Sequence, residues 1–470
     1  MITIPLFEAA VAVGGRSNLQ ISPTDYIFHV TQRSQEVVEG TLFVALKGKR
    51  ADGHDYVKEA EQKGAVAAVV EKEVSNVKIP QIVVPSTEEA LGNLGRLWRC
   101  RLNIPVVAVT GSVGKTTTKE LIAHILEVKY KTHKSRKNYN NQLGVPIELL
   151  RLEKGHECSV VEFGMRALNE ISYLSKMARP SFAAITNIGM SHIEILKTRE
   201  NIAKAKGEIF QGMDFGGVVV LNRDDDYYEL LKELANCKVI SFGESKEADI
   251  RISDIQLSEK AHPSFRINGL PITMLNCVGK HHAFNSAIAF AIAMEMGIDQ
   301  EDIIKQISTF SPPEKRGVVS FLNNGALILD STYNAAPDSI KASLYTISEL
   351  TRRGKRTVAV IGEMLELGSH SKEAHSHIGK VISELKGGID FLVTVGEYAE
   401  YIGKESKIEN RKHFGNSTLA ANFLVDNVES NDIILLQASN SVSLDVVVNA
   451  LENKFGVQGK DKKYHKEVIH

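Results

Sequence analysis

Chemistry can be read first from Lys115 and Thr116, which close the run Thr110-Gly111-Ser112-Val113-Gly114-Lys115-Thr116-Thr117. A lysine after a glycine turn places a cation where a phosphate would sit, and the hydroxyl beside it offers a ligand to Mg²⁺. Gly111 and Gly114 let the backbone approach a ligand with no Cβ in the way. Residues 117–126 carry helical spacing, so free amides and the positive end of a helix dipole face the same anion. Residues 106–109, Val-Val-Ala-Val, read as a buried parallel strand feeding the turn. The spacing is the short G-x-x-G-K-T form of a Walker-type loop, with Val109 where the longer form has its first glycine. A chance glycine turn followed by Lys-Thr is the competing reading. Against it, strand, turn, lysine, hydroxyl and helix all fall in order.

Other chemistry-bearing residues stand at the ends of apolar runs. Glu162 lies near the end of the run 159–164, and His192 lies just beyond the run 183–189. Ligands in parallel α/β sheets sit outside the carboxyl ends of the strands. Thr116, Glu162 and His192 are therefore expected to converge as a metal site beside the phosphates. The asparagine-rich stretch 137–146 borders that region. His281, His282 and Asn285 open an alanine-rich helix, where side chains can reach a nucleotide. Lys204 and Lys206 lie on a helix over 200–210, and position alone assigns them to its surface. His54, in a loop, reads as a solvated histidine. The segment 333–339 leads into a helix capped by Asp338 or Ser339.

These residues need several domains to hold them. At 470 residues the chain exceeds what one core supports, so two or three domains are expected. The fold class is α/β with three domains. A small α/β unit covers residues 1–98, a central P-loop ATPase-like parallel sheet covers 99–312, and a Rossmann-like unit without GxGxxG covers 313–459. The Pro312-Pro313 pair marks the second boundary, and residues 460–470 form a polar, basic tail. A net charge of −1 argues against a dedicated nucleic-acid surface. The four cysteines show no CxxC spacing and read as reduced thiols in a cytoplasmic protein. No apolar run reaches the ~18 residues of a membrane span.

The order TGSVGKTTTKE, NYNNQLGVP, VEFGM, TNIGMSH, IAKAKGEIF, LNRDDD, GKHHAFN, DSTYNAAPDS and GEMLELG resembles the Mur ligases, from about residue 41 to 451. The last two segments resemble most the member that joins D-alanyl-D-alanine to UDP-N-acetylmuramoyl-tripeptide through an acyl phosphate. The resemblance implies ATP, two Mg²⁺ ions, and a cytoplasmic, monomeric enzyme of peptidoglycan precursor assembly. It implies that Lys115 and the loop amides hold the phosphates and that Thr116 binds one Mg²⁺. Glu162 and His192 would bind the second, and Lys206 would be carbamylated. His281 and Asn285 would contact the nucleotide, and Arg316, Asp330 and Asn334 would close the third domain over it. The first domain would take the UDP-sugar. The chain departs from the family pattern in four places: Arg33-Ser34-Gln35, Gln437-Ala438-Ser439-Asn440, Lys315 before the arginine, and His282. Alternative readings are a ligase adding one amino acid, a folylpolyglutamate-type ligase, or a nucleotide-binding relative without catalysis.

Overall fold

Three large sheets carry the molecule, with a two-stranded antiparallel pair, Ile4–Pro5 and Tyr26–Ile27, beside them. The computed structural model describes residues 2–48, 51–136, 138–351, 355–385 and 388–458; the expected basic tail lies outside them. The first sheet has five short strands, ordered Arg16–Ser17, Gln81–Val83, Ala65–Val70, Thr41–Val44 and His29–Thr31, parallel except for the outermost Arg16–Ser17. The N-terminal apolar run forms the helix Leu6–Ala12, whose Leu6 and Ala9 are buried.

The central sheet has nine strands. Seven are parallel, in the order Thr132–Lys134, Cys158–Glu162, Val106–Thr110, Phe182–Ile185, Val218–Asn222, Lys238–Gly243 and Ile250–Leu257. Val106–Thr110 is buried along its length, as a strand covered on both faces must be. The sheet then continues through Ile250–Leu257 into two antiparallel strands, Pro263–Ile267 and Leu270–Thr273. This extension alternates buried and exposed residues, a pattern expected of strands with one face in water. The helices Lys115–Leu126 and His281–Glu295 share one apolar core with it.

The third sheet has six strands, ordered Val318–Phe321, Leu327–Ser331, Ile433–Gln437, Thr357–Gly362, Phe391–Val395 and Arg411–Phe414, all parallel except the first. The helix after the 333–336 turn begins at Pro337, a residue suited to the first helical position. Neither expected cap acts in the expected way. Ser339 Oγ accepts from Ala336 N (3.0 Å), while Asp338 Oδ2 accepts from Met190 N of the central domain (3.3 Å).

One helix ties the first two units together. Ser86 caps it, its Oγ accepting from Glu89 N (3.2 Å), and it runs as Thr87–Leu102, past residue 98 without a break. Trp98 Nε1 donates to Leu152 O (2.8 Å) and Arg99 Nε to Ala178 O (2.9 Å), both in the central domain. Gly95 allows the close approach, since a Cβ there would fall 2.9 Å from Pro146 Cα. Among the described residues no helix is long and apolar enough to cross a membrane.

Candidate active site

The phosphate loop is built as its spacing requires. Gly111 has φ +147°, and a Cβ there would fall 1.8 Å from Thr186 Oγ1. Gly114 has φ +84°, a left-handed conformation that glycine adopts without a steric penalty. The helix's first backbone bond runs from Thr118 N to Gly114 O (2.9 Å). The amides of Lys115, Thr116 and Thr117 are thus first-turn donors with no partner inside the helix. Side chains brace the loop from behind. Ser112 Oγ accepts from Gly189 N (2.8 Å), Val113 N donates to Asn187 Oδ1 (3.0 Å), and Thr186 Oγ1 donates to Val113 O (2.5 Å). Thr110 is part of this bracing: it is buried and its hydroxyl donates to Phe163 O (2.9 Å).

Two adjoining cavities meet at the loop, between the central and third domains. One of about 420 Å³ is lined by Gly114, Thr117, His281, Asn285, Asn334 and Gln437, among others. The other, about 520 Å³, is lined by Lys115, Thr116, Asn140, Glu162, His192 and Glu366, among others. Arg316, Tyr333 and Asn334 line both. Two buried polar atoms on the walls of the first cavity, Asn285 Nδ2 and Gln437 Oε1, have no hydrogen-bond partner among the described residues. Thr118 Oγ1 donates to Asn285 Oδ1 (3.1 Å) and so fixes which end of that amide is left over. Unpaired buried donors and acceptors are costly, and a bound polar molecule is what satisfies them. A nucleotide fits this cavity on that ground.

Cations crowd the junction. Lys115 Nζ donates to Gly111 O (2.8 Å) and Ser112 O (3.2 Å). Burial holds its ammonium below the usual lysine range; Glu162 opposes that shift and Arg316 adds to it. The Arg316 guanidinium stacks over the Tyr333 ring at 4.0 Å. Lys206 is buried on the helix Arg199–Gly207, and the expectation of a surface lysine is wrong. Burial, and then the charge of Lys115, hold its amine well below the ordinary lysine value. It does not line either cavity.

The hard oxygen donors sit beside these cations. Thr116 Oγ1 donates to Glu162 Oε2 (2.6 Å), and Asn140 Nδ2 donates to Glu162 Oε1 (2.8 Å). His192 Nδ1 lies 3.2 Å from Glu366 Oε2 of the third domain. Among the described residues no three His, Cys, Asp or Glu side chains form a protein-only metal cage. A hydroxyl and one carboxylate facing an anion pocket suit Mg²⁺, which keeps water and phosphate oxygens in its shell. Mg²⁺ therefore fits this chemistry.

Some expected contacts are absent. Asp330 does not reach the cavity: its Oδ1 accepts from Thr332 N (2.9 Å) and Thr332 Oγ1 (2.7 Å). The strand runs through Ser331, so Leu329 and Ser331 face the cavity and Asp330 the other side. His282 turns inward and is fully buried, its ring 4.3 Å from that of His281. His54 is not solvated. It is buried, with Nδ1 2.6 Å from Asp52 Oδ1 and Nε2 accepting from Glu71 N (2.8 Å). Glu366, Tyr333 and Gln437 were not read as site residues. All three lie in segments the motif order marks, but which side chains of those segments meet the loop is decided by tertiary packing.

Known proteins show the same order of parts. Family models described as "Mur ligase family, catalytic domain", "Mur ligase middle domain" and "Mur ligase, glutamate ligase domain" match residues 27–99, 109–293 and 318–440. The chain is 33% identical to the UDP-N-acetylmuramoyl-tripeptide–D-alanyl-D-alanine ligase of Bacillus subtilis, over 94% of this chain and 97% of the relative. It is 31% identical to the Escherichia coli protein of that name, over 90% and 93%. A crystal structure of MurF from Acinetobacter baumannii superposes with a TM-score of 0.88 at 30% identity, covering 96% of this chain and 99% of that one. MurF from Thermotoga maritima, solved in complex with ADP, gives 0.81 at 29% identity, covering 91% and 97%. With three sheets in this order and relatives this similar along nearly its whole length, the chain belongs to the Mur ligase family.

Proposed function

We propose that this chain is an ATP-dependent ligase that joins D-alanyl-D-alanine to UDP-N-acetylmuramoyl-tripeptide, completing a peptidoglycan precursor. The observation that carries the reading is the pair of cavities at one phosphate loop. The first has orphaned polar atoms suited to a nucleotide; the second has Thr116, Glu162 and His192 beside Lys115 and Arg316. The names of the relatives supply the substrate class.

A carboxylate does not accept an amine at neutral pH. ATP supplies the activation: its terminal phosphoryl group passes to the acid with release of ADP, and the dipeptide amine then attacks the acyl carbon as inorganic phosphate leaves. The side chains of this chain orient and neutralise. Lys115 and the first-turn amides hold the phosphates, and Arg316, pre-set on the Tyr333 ring, meets the charge that develops between the domains. Thr116 and Glu162 would hold one Mg²⁺, and Glu162 with His192 the second. His281, Asn285 and Asn334 line the first cavity and would contact the nucleotide there. Asp338, bonded to Met190 N, helps seat the third domain and exclude water from an intermediate that water would destroy.

Lys206 is the residue we assign to carbamylation. Reaction of an amine with CO₂ needs the neutral form, and burial against Lys115 favours it. The product is an anion facing Lys115. The first domain is the binding place for the UDP-sugar. Both substrates and ATP are solutes of the cytoplasm, and one chain holds every group named here. The test is phosphate release by the purified protein with ATP, Mg²⁺, the tripeptide nucleotide and D-Ala-D-Ala. Release that depends on the dipeptide and disappears in Lys115→Ala supports the reading. Release stimulated by a single amino acid, or none at all, overturns it.

A further inference from the structure

We propose that Glu366, from the third domain, is a positioning residue for His192, so that docking of the third domain and loading of the second metal are one coupled event. The inference rests on the assignment of His192 to that metal under Proposed function. The two residues meet across the interface, Nδ1 to Oε2, at 3.2 Å. Both have left-handed backbones, φ +65° at His192 and +63° at Glu366, which residues with side chains seldom adopt. Such outliers persist where the surroundings over-determine them, and they collect at functional sites. The other carboxylate oxygen is also engaged, with Arg166 Nη2 3.8 Å from Glu366 Oε1. Two central-domain groups thus flank one third-domain carboxylate. The Gly368 backbone beside it lies against the Glu194 side chain of the central domain: a Cβ on Gly368 would lie 2.4 Å from Glu194 Cγ.

A neutral imidazole has one protonated nitrogen and one lone pair, and the partner of the first decides where the second points. A carboxylate at Nδ1 keeps the proton there and leaves Nε2 as the ligating atom. With no acceptor at Nδ1 the proton is free to move to Nε2, and the ring then has no lone pair on that side. Because the acceptor belongs to the third domain, a retracted domain leaves His192 a poor ligand. A carboxylate behind a metal-bound histidine changes metal affinity by about 10- to 100-fold.

The experiment uses the full chain with Mn²⁺ as probe and a non-hydrolysable ATP analogue, reading bound Mn²⁺ by electron paramagnetic resonance. In parallel, ring-¹⁵N histidine NMR reads the His192 tautomer. His192→Ala is expected to lose the weaker Mn²⁺ site. Glu366→Ala should weaken that site about 10- to 100-fold, leave the tighter site unchanged, and move the His192 proton from Nδ1 to Nε2. Glu366→Gln keeps an acceptor oxygen and should restore most of the affinity. If His192→Ala leaves Mn²⁺ binding unchanged, the metal assignment fails and the inference falls with it. If His192→Ala weakens binding but Glu366→Ala does not, or does so with the tautomer unmoved, the coupling alone is refuted.

Discussion

Replacing Lys206 with methionine should make the protein more stable and inactive at once. The wild-type chain buries this amine beside Lys115, and among the described residues no anion pairs with it. Keeping an ordinary lysine unprotonated at pH 7 costs at most about 5 kcal/mol, given its usual pKa of 10.5. Replacing buried charged groups with well-packed apolar residues typically gains ~1–4 kcal/mol, which lies under that ceiling. Methionine has similar reach and no charge to desolvate. The expected gain in a domain of this size is roughly 2–4 °C in melting temperature per kcal/mol. The sign with pH follows from linkage. The folded amine has a lowered pKa, so the unfolded chain binds the extra proton, and wild-type stability rises with pH toward the ordinary lysine value. Lys206→Met lacks that rise. The assay is scanning calorimetry of both proteins in CO₂-free buffer and again with bicarbonate, beside phosphate-release activity. Bicarbonate should stabilise only the wild type, because only it has an amine to modify. A variant less stable than wild type in CO₂-free buffer, or one that keeps ligase activity, would refute the reasoning.

Asn285→Ala removes the amide that Thr118 orients toward the nucleotide cavity, and affinity for an ATP analogue should fall by about 1–2 kcal/mol, close to tenfold, by calorimetric titration. An unchanged affinity would mean Nδ2 meets no ligand. Arg316→Lys keeps the charge but loses the planar stack on Tyr333; turnover should drop about 10²-fold with substrate affinity nearly kept, measured by steady-state kinetics. His133 is buried, and desolvation lowers its pKa from 6.5 to about 3, so the unfolded chain takes up its proton first. Stability should therefore fall by about 1.4 kcal/mol per pH unit from that residue as pH drops from 6.5 toward 3, and His133→Gln should flatten the slope in urea titrations at stepped pH.

The phosphate loop was legible because its parts are contiguous: strand, turn, lysine and hydroxyl are fixed by covalent spacing. Glu162, His192 and Asn285 were legible one level up, because strand ends and helix starts face one edge of a parallel sheet. Asp330 shows where this fails. It lies inside the strand Leu327–Ser331, where alternation turns the carboxylate away from the cavity, and a motif match alone carries no such direction. Lys206 reads as surface by helix position, yet the helix Arg199–Gly207 buries that face against the core. The strands between Ile250 and Thr273 are polar on one face and carry none of the chemistry-bearing motifs that organise the rest of the chain. Glu366 and Gln437 lie in segments the motifs mark, but they become site residues only when the third sheet meets the first-turn end of the loop helix.

The helix Thr87–Leu102 has a consequence for anyone dissecting the molecule. It begins among the residues of the first sheet and ends clamped to the central one, with Leu91, Leu94 and Trp98 in a shared apolar core. A fragment cut at residue 98 would bare that indole and strip Leu152 O of its donor. Losing a buried tryptophan's packing costs about 3–5 kcal/mol, a large share of what holds any single domain together. The first and central units therefore melt as one cooperative body, and the first, freed from its neighbour, forfeits much of its own foundation.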